Sequence, residues 1–287
     1  MKLVTYQDGE AIFTGIVKRD GIVNISDHLF INLSMKELIE GGDETLSRLH
    51  DVDAKADASI ALSDVKLLPP LRGPQKFLAM GMNYERHIAE AVAAGIAIPA
   101  KQVWFNKQVS CLNGPFDDVV KPNVSDMLDY EVELAFVIGK VAKHVAAADA
   151  SKYIFGYTVC NDISVRDWQN HTSTFTIGKS FDTHGPIGPW IVTADELPDP
   201  HALPIRCLIN GEVRQSSNTA DMVHRCSDMI EYLSTAFTLY PGDLITTGTP
   251  EGVGVAMKPP AFLKVGDIVR SEIEGIGAIE NRIAAEP

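Results

Sequence analysis

The sequence predicts an α+β fold that is rich in β-strands. Short apolar runs of strand length outnumber the helical patterns. No long helix intervenes between the strand-like runs of residues 131–162, which disfavours a doubly wound parallel sheet. A chain of 287 residues is also long enough for two domains. We therefore expect a mixed β roll or barrel, preceded by a small β-rich N-terminal domain.

The N-terminal part begins with a predicted β meander. Three strand-like runs cover residues 2–6, 11–18 and 21–24, and Asp-Gly pairs separate them. Ser34 and Glu37 then form a capping-box pattern, which predicts a helix that ends at the glycines of positions 41 and 42.

A proline-rich segment, residues 67–74, interrupts both strand and helix patterns. We place the domain boundary there, with a small N-terminal domain over residues 1–72 and a catalytic domain over residues 73–287. In the second domain, helices are predicted at 84–94 and 227–236. The predicted strands are 77–80, 103–105, 131–138, 156–161, 205–209, 244–247 and 268–273.

Composition and charge exclude several classes of protein. The chain is 45% hydrophobic, and its net charge is −13, spread along the sequence. This field opposes phosphate backbones and anionic membranes, so we expect no nucleic-acid or membrane partner. The four cysteines show no CxxC spacing, and no stretch reaches the roughly 20 apolar residues of a membrane span. We expect a cytoplasmic protein.

Two glutamates stand out in the segment 129–139. Along a strand, Glu131 and Glu133 would share one face with Ala135 and Val137, while the other face is also apolar. Two buried carboxylates on one face repel each other unless a cation offsets their charge. The alternative is a strand end that emerges into solvent with both glutamates hydrated.

A third acid, Asp162, closes the apolar strand 157–163. Three carboxylates with no nearby histidine or thiolate suit a hard cation, Mg²⁺ or Mn²⁺ before Zn²⁺. Asp162 could instead cap the following turn.

A histidine, a glutamate and a lysine are candidates for catalysis. His87 and Glu90 are three residues apart on a predicted helix, so the carboxylate can orient the imidazole as a general base. Lys179 lies between apolar and glycine-rich segments, where it could balance the carboxylates or stabilise an oxyanion. The alternatives are a solvated helix pair and a surface lysine.

Two glycine-rich segments resemble nucleotide-binding motifs but do not meet their spacing. Gly178-Lys179-Ser180 lacks the glycine of a phosphate loop, because Ser173 stands at that position. The run 248–254 has the wrong glycine spacing for dinucleotide binding and remains a candidate substrate loop.

Taken together, these motifs resemble the fumarylacetoacetate hydrolase family, in order, over residues 77–280. The matching stretches are 81–90, Phe105-Asn106-Lys107, 131–133, Asn161-Asp162 with Arg166-Asp167, 178–182 and 247–254. The segment before residue 72 resembles the N-terminal domain of two-domain bacterial members.

The resemblance implies a mixed β roll, a homodimer and a site for Mg²⁺ or Mn²⁺. The family's metal ligands carry over to Glu131, Glu133 and Asp162. Its catalytic histidine and glutamate carry over to His87 and Glu90, on a lid over the substrate, and its lysine to Lys179. For substrate binding the resemblance implies Thr249, Gly248, Tyr157, Gln169 and Arg166.

The expected reaction is hydrolysis of a C–C bond in a 2,4-dioxo acid, such as an acylpyruvate, a fumarylpyruvate-like acid or a diketo sugar acid. His87 would deprotonate the attacking water, and pyruvate and a carboxylic acid would be released. The same site also suits decarboxylation of oxaloacetate-like acids or isomerisation of a 2-hydroxy-dienedioate. A remoter alternative is a metal-stabilised binding protein without catalysis.

Four residues depart from the pattern expected of two-domain relatives or have no assigned role: Arg86, His184, His224 and Arg225. A polar or anionic substrate tail is one role for Arg86, His184 and Arg225, and surface variation is the other.

Overall fold

The computed structural model describes residues 1–287 and is 24% helix and 35% strand. This confirms the strand-rich α+β class. The six helices are α1 (Ile25–Leu29), α2 (Met35–Glu40), α3 (Gly42–Lys55), α4 (Glu85–Ala93), α5 (Arg166–Gln169) and α6 (Cys226–Ala236). None of these six helices combines the length and the apolar character that a membrane-spanning helix needs.

Nineteen strands follow one another along the chain. They are β1 (Lys2–Asp8), β2 (Ala11–Lys18), β3 (Gly21–Asn24), β4 (Ile60–Ala61), β5 (Lys66–Leu67), β6 (Phe77–Gly81), β7 (Val103–Asn106), β8 (Leu112–Asn113), β9 (Val119–Lys121), β10 (Leu128–Asp129), β11 (Val132–Ile138), β12 (Ile154–Asn161), β13 (Ser164–Val165), β14 (Gly185–Thr193), β15 (Pro204–Ile209), β16 (Glu212–Asn218), β17 (Leu244–Thr246), β18 (Ile268–Ile273) and β19 (Gly277–Ala285).

A twelve-stranded sheet runs through the molecule in the order β4-β3-β2-β1-β14-β12-β11-β17-β6-β7, with β5 on β1 and β8 on β14. A five-stranded sheet has the order β16-β15-β18-β19-β9, and β10 pairs with β13. Most pairings are antiparallel, which is typical of an α+β fold. The strand order does not close either sheet, so the architecture is an open roll.

The large sheet is buried on both faces because two different layers cover it. Val132, Leu134 and Phe136 of β11 pack in one core with strands β15 and β18 and helix α6. Ala135 and Val137 point to the opposite core, which contains apolar residues of α1, α2 and α3. The predicted alternation of β11 is therefore confirmed, and both of its faces are buried.

The predicted N-terminal meander is confirmed as β1, β2 and β3, and Ser34 forms the expected capping box at the start of α2. Strand β1 also pairs with β14, so the N-terminal strands extend the large sheet. The domain boundary at residue 72 stays a prediction. The same pairing places β14 between β1 and β12, next to the strand that leads to Asp162.

Candidate functional site

Three buried carboxylates meet where β11 and β12 pair. Glu131 directly precedes β11, Glu133 lies inside it, and Asp162 directly follows β12. The register pairs Val132 with Asn161, and the backbone N–H of Asp162 donates to the carbonyl of Glu131 at 2.8 Å. One oxygen from each carboxylate lies within 4.8 Å of the others. The structure thus brings together the three acids that the sequence analysis selected as metal ligands.

Three buried cations surround this cluster, and they contact only two of its members. Lys179 Nζ lies 2.5 Å from Glu131 Oε2 and 2.8 Å from Asp162 Oδ2. Lys107 Nζ lies 2.7 Å from Asp162 Oδ1, and Arg166 Nη1 lies 2.7 Å from Glu131 Oε1. No side-chain cation lies within salt-bridge distance of Glu133, which accepts the N–H of Gly248 at 2.8 Å.

The two glutamates differ in acidity for this reason. Burial would raise the pKa of Glu131, but Lys179 and Arg166, followed by His87, outweigh it and lower that pKa to about 2. Burial raises the pKa of Glu133 well above its usual range, and the charges of Asp162 and Glu131 raise it further. A buried carboxylate that lacks a cation beside two others fits a divalent cation with oxygen ligands.

His87 and Glu90 face each other on α4, as the spacing predicted. His87 Nδ1 lies 3.1 Å from Glu90 Oε2, and both side chains are largely covered. The other oxygen of Glu90 accepts the N–H of Gly252 at 3.1 Å. This contact docks α4 on the loop that follows β17. The Glu90 carboxylate therefore orients the imidazole of His87 and is itself fixed by the backbone of that loop.

The loop of residues 247–254 lies against the carboxylate strand. Thr249 Oγ1 donates to the carbonyl of Val132 at 2.9 Å and accepts from the side chain of Gln215 at 2.8 Å. Gly248 has φ +90°, and a Cβ there would lie 2.8 Å from the Cβ of Asn83. Thr249 and Gly248 therefore border the cluster, and their polar groups mainly fasten the loop to β11 and Glu133.

Arg166 contacts the cluster directly, Gln169 is linked to it only through Arg166, and Tyr157 does not reach it. Arg166 Nη1 donates to Gln169 Oε1 at 3.0 Å, while its Nη2 is buried without a partner. Tyr157 packs in the core beside Val159, on the face of β12 opposite Cys160. Because Cys160 pairs with Glu133, Tyr157 lies on the far side of the sheet from that carboxylate. The structure does not place Tyr157 with the other site residues.

Three further residues support the site. Asp129 and Gln215 are not among the predicted site residues, and Lys107 lies in a stretch that matches the family but has no predicted role. Asp129 accepts from Arg166 Nε at 2.8 Å and from the N–H groups of Gly254 and Val255. Its position two residues before Glu131 continues the same alternation, which was a usable signal. Lys107 lies in a stretch that matches the family pattern, but only the fold shows that it contacts Asp162. Gln215 lies on the other sheet, and no sequence pattern connects it to the site.

The residues without an assigned role occupy different places. Arg86 Nη1 lies 3.4 Å from Glu251, next to the docking contact of Glu90. The backbone N–H and carbonyl of His224 bind the side chain of Asn83, and Arg225 precedes α6. His184 is completely buried and hydrogen-bonded through Nε2 to the carbonyl of Val120 at 2.8 Å. It is therefore closed off from a substrate tail.

His184 makes a testable contribution to the pH dependence of stability. Burial lowers the pKa of His184 from 6.5 to about 3. Between these two pH values the unfolded chain binds a proton at His184 and the folded protein does not. His184 therefore lowers the free energy of unfolding as the pH falls, by about 1.4 kcal/mol for each pH unit well below 6.5. Urea unfolding in EDTA at pH 7, 6 and 5 should show a shallower loss for His184→Phe than for the wild type. Equal slopes would contradict this, and the exposed His28→Gln serves as control.

Comparisons with known proteins agree with the geometry. Residues 76–284 match the family described as fumarylacetoacetate (FAA) hydrolase C-terminal. Human oxaloacetate tautomerase FAHD2A, mitochondrial, is 45% identical over 252 residues, which is 87% of this chain and 79% of the relative. Oxaloacetate tautomerase fahd2, mitochondrial, of Xenopus laevis is 40% identical over a match that covers 99% of this chain and 90% of the relative.

Solved structures carry the same fold over the whole chain. Maleylpyruvate hydrolase of Sphingobium sp. SYK-6, in complex with manganese(II) ion and pyruvate, is 31% identical with a TM-score of 0.84, and coverage is 100% of both chains. The 5-carboxymethyl-2-hydroxymuconate delta-isomerase of Mycobacterium smegmatis is 31% identical with a TM-score of 0.78, again with full coverage of both. The expected family resemblance is confirmed: this chain belongs to the fumarylacetoacetate hydrolase family.

Proposed function

We propose that this protein is a metal-dependent enzyme that interconverts the keto and enol forms of a small 2-oxo dicarboxylic acid of the oxaloacetate type. One observation carries the proposal: an imidazole held by a carboxylate, the His87–Glu90 pair, is docked on the same loop that binds Glu133, one of three buried carboxylates that fit a divalent cation. The names of the relatives that are 40–45% identical support the same reaction.

Glu131, Glu133 and Asp162 would hold Mg²⁺ or Mn²⁺, and the manganese in the Sphingobium enzyme supports this choice. The cation, when bound, supplies Lewis acidity that attracts the substrate carboxylate and polarises the 2-oxo group. This local attraction would overcome the repulsion that a chain of net charge −13 exerts on an anionic substrate.

The protein's own residues would move the proton. Glu90 accepts from His87 Nδ1, which leaves the lone pair on Nε2 free to act as a base. Nε2 takes a proton from C3, and the electrons of that C–H bond form the C2–C3 double bond while the C2 oxygen gains negative charge. The imidazolium, stabilised by Glu90, returns the proton to that oxygen and completes the enol.

Hydrolysis of an acylpyruvate is the second candidate, and the Sphingobium maleylpyruvate hydrolase supports it. For that reaction the sequence predicts that Lys179 stabilises an oxyanion. Lys179 Nζ instead lies within hydrogen-bond distance of both Glu131 and Asp162, so its charge already serves the cluster. Tautomerisation moves one proton and forms no second oxyanion, so it needs no further cation beyond those that already pair with the carboxylates.

An activity panel separates the two reactions. Oxaloacetate enriched in the enol form is followed by its ultraviolet absorbance, with pyruvate and CO₂ measured in parallel, and acetylpyruvate and fumarylpyruvate are tested alongside. We expect enol loss that is faster than the uncatalysed rate, without matching pyruvate, and dependent on Mg²⁺ or Mn²⁺ after EDTA treatment. Metal-dependent release of pyruvate and a carboxylic acid from an acylpyruvate, with no effect on the enol, would contradict the proposal and favour the hydrolase.

A further inference from the structure

Gln215 is a buried polar residue whose side-chain amide oxygen and nitrogen are both hydrogen-bonded at the site. It lies on β16 of the five-stranded sheet and is 1% exposed. Its Oε1 accepts the N–H of Val132 at 3.0 Å, and its Nε2 donates to Thr249 Oγ1 at 2.8 Å and to the carbonyl of Pro250 at 2.9 Å. A primary amide is the side-chain group that supplies one acceptor and two donors in this arrangement.

These bonds form a closed ring around one residue of the carboxylate strand. Val132 stands between Glu131 and Glu133, and Gln215 binds its N–H while Thr249 binds its carbonyl. Gln215 also binds Thr249 directly, so the amide, the hydroxyl and the peptide groups of Val132 fix one another. The directions of the two flanking glutamate side chains depend on the backbone that this ring holds.

The same strand supports the loop that docks the His87–Glu90 pair. Gly252 has φ +95°, and a Cβ there would lie 2.1 Å from the carbonyl oxygen of Arg214, so the loop backbone packs directly on β16. The N–H of Gly252 donates to Glu90 at 3.1 Å. Residues 214 and 215 therefore lie between the carboxylate strand and the contact that holds the catalytic pair.

We propose that Gln215 is a positioning residue that sets the carboxylate strand at a fixed distance from the loop that docks Glu90. Through Val132 it orients the carboxylates toward a divalent cation, and through Pro250 and Thr249 it holds the loop. The effect on turnover rests on the proposed function, whereas the effect on metal affinity does not.

The test measures Mn²⁺ binding by titration calorimetry of the whole protein after EDTA treatment and its removal. Gln215→Leu should weaken Mn²⁺ binding by about 10- to 100-fold, the range typical of groups that orient metal ligands. Gln215→Glu keeps the acceptor for Val132 but loses both donors, so it should also weaken binding, and it serves if the leucine variant does not fold. Ser217→Ala is the matched control: it lies on the same strand, its hydroxyl binds Asp221, and Mn²⁺ affinity should not change.

A double-substitution cycle with Thr249→Val distinguishes positioning from general support of the fold. Because Gln215 and Thr249 hold the two peptide groups on either side of Val132 and also bind each other, the double variant should lose much less affinity than the product of the two single losses. Unchanged Mn²⁺ affinity in a folded Gln215 variant, or fully multiplicative losses, would overturn the proposal. If the wild-type protein binds Mn²⁺ but does not accelerate the loss of enol-oxaloacetate, the proposed function is contradicted. The Mn²⁺-affinity test of Gln215 still applies in that case.

Discussion

Replacing His87 with asparagine is expected to lower kcat by about 10²- to 10⁴-fold, the usual contribution of a positioned general base. Asparagine has no basic nitrogen, so it cannot take the proton that Nε2 of His87 would accept. His87 does not belong to the group of three carboxylates that would bind the metal, so the affinity for Mn²⁺ should stay close to that of the wild type. Steady-state kinetics and Mn²⁺ titration of the same preparation check both parts.

Two further variants sharpen this prediction. Glu90→Gln keeps an acceptor near the imidazole but removes the charge that stabilises imidazolium, so kcat should fall less than in His87→Asn. The exposed His171→Asn is the control and should keep full activity. Normal kcat in His87→Asn would show that another group moves the proton, and a large loss of Mn²⁺ affinity would show that the histidine belongs to the metal site.

Two substitutions in the carboxylate cluster are expected to change the stability of the metal-free protein in opposite directions. Asp162→Asn removes the one carboxylate that pairs with Lys107 and one of the two that pair with Lys179. Breaking a buried ion pair from one side leaves uncompensated charge and costs about 3–5 kcal/mol. The free energy of unfolding should therefore fall by about that amount.

Glu133→Gln should instead stabilise the metal-free protein. Glu133 has no cation partner, and burial together with Asp162 and Glu131 raises its pKa, so its ionised form opposes folding at neutral pH. Glutamine keeps an oxygen for the N–H of Gly248 and removes the charge. Both variants should bind Mn²⁺ more weakly, so opposite stabilities with the same binding defect are expected.

Urea unfolding in EDTA, followed by tryptophan fluorescence, measures both changes. Adding Mn²⁺ should raise the stability of the wild type by mass action and that of the variants by less. Changes in the same direction for the two variants in EDTA would contradict the assignment of Lys107 and Lys179 as partners of Asp162 and of Glu133 as the unpaired carboxylate.

The elements that were predicted correctly are those whose local pattern agrees with their final environment. The capping box at Ser34 and the alternation of β11 need only neighbouring residues to be recognised, and both are present. Helix α3 was missed because the glycines at 41 and 42 indicate a stop, whereas the chain turns there and a second helix begins directly. Its burial of Leu49 and Val52 against the large sheet stabilises it.

Strand β14 was missed for a different reason. Two prolines and two glycines within Gly185–Thr193 weaken its strand pattern. The strand forms because β1 and β12 flank it, and an irregularity in the register opposite Tyr157 and Val159 accommodates the part that cannot pair regularly. The formation of β14 therefore depends on its pairing with both β1 and β12.

The sequence by itself determined the strand-rich class and the family, and it indicated that Glu131 and Glu133 share a strand face and that His87 and Glu90 share a helix face, because alternation and helix spacing are local properties. The meeting of Asp162 with the two glutamates depends on the pairing of β11 with β12. Tertiary structure alone decided which carboxylate each cation contacts, that Tyr157 lies on the far face of the sheet, and that Gln215 of the second sheet holds Val132. The physical reason is that hydrogen bonds and ion pairs depend on distances of a few ångströms between segments far apart in the chain, and only packing of the two sheets sets those distances.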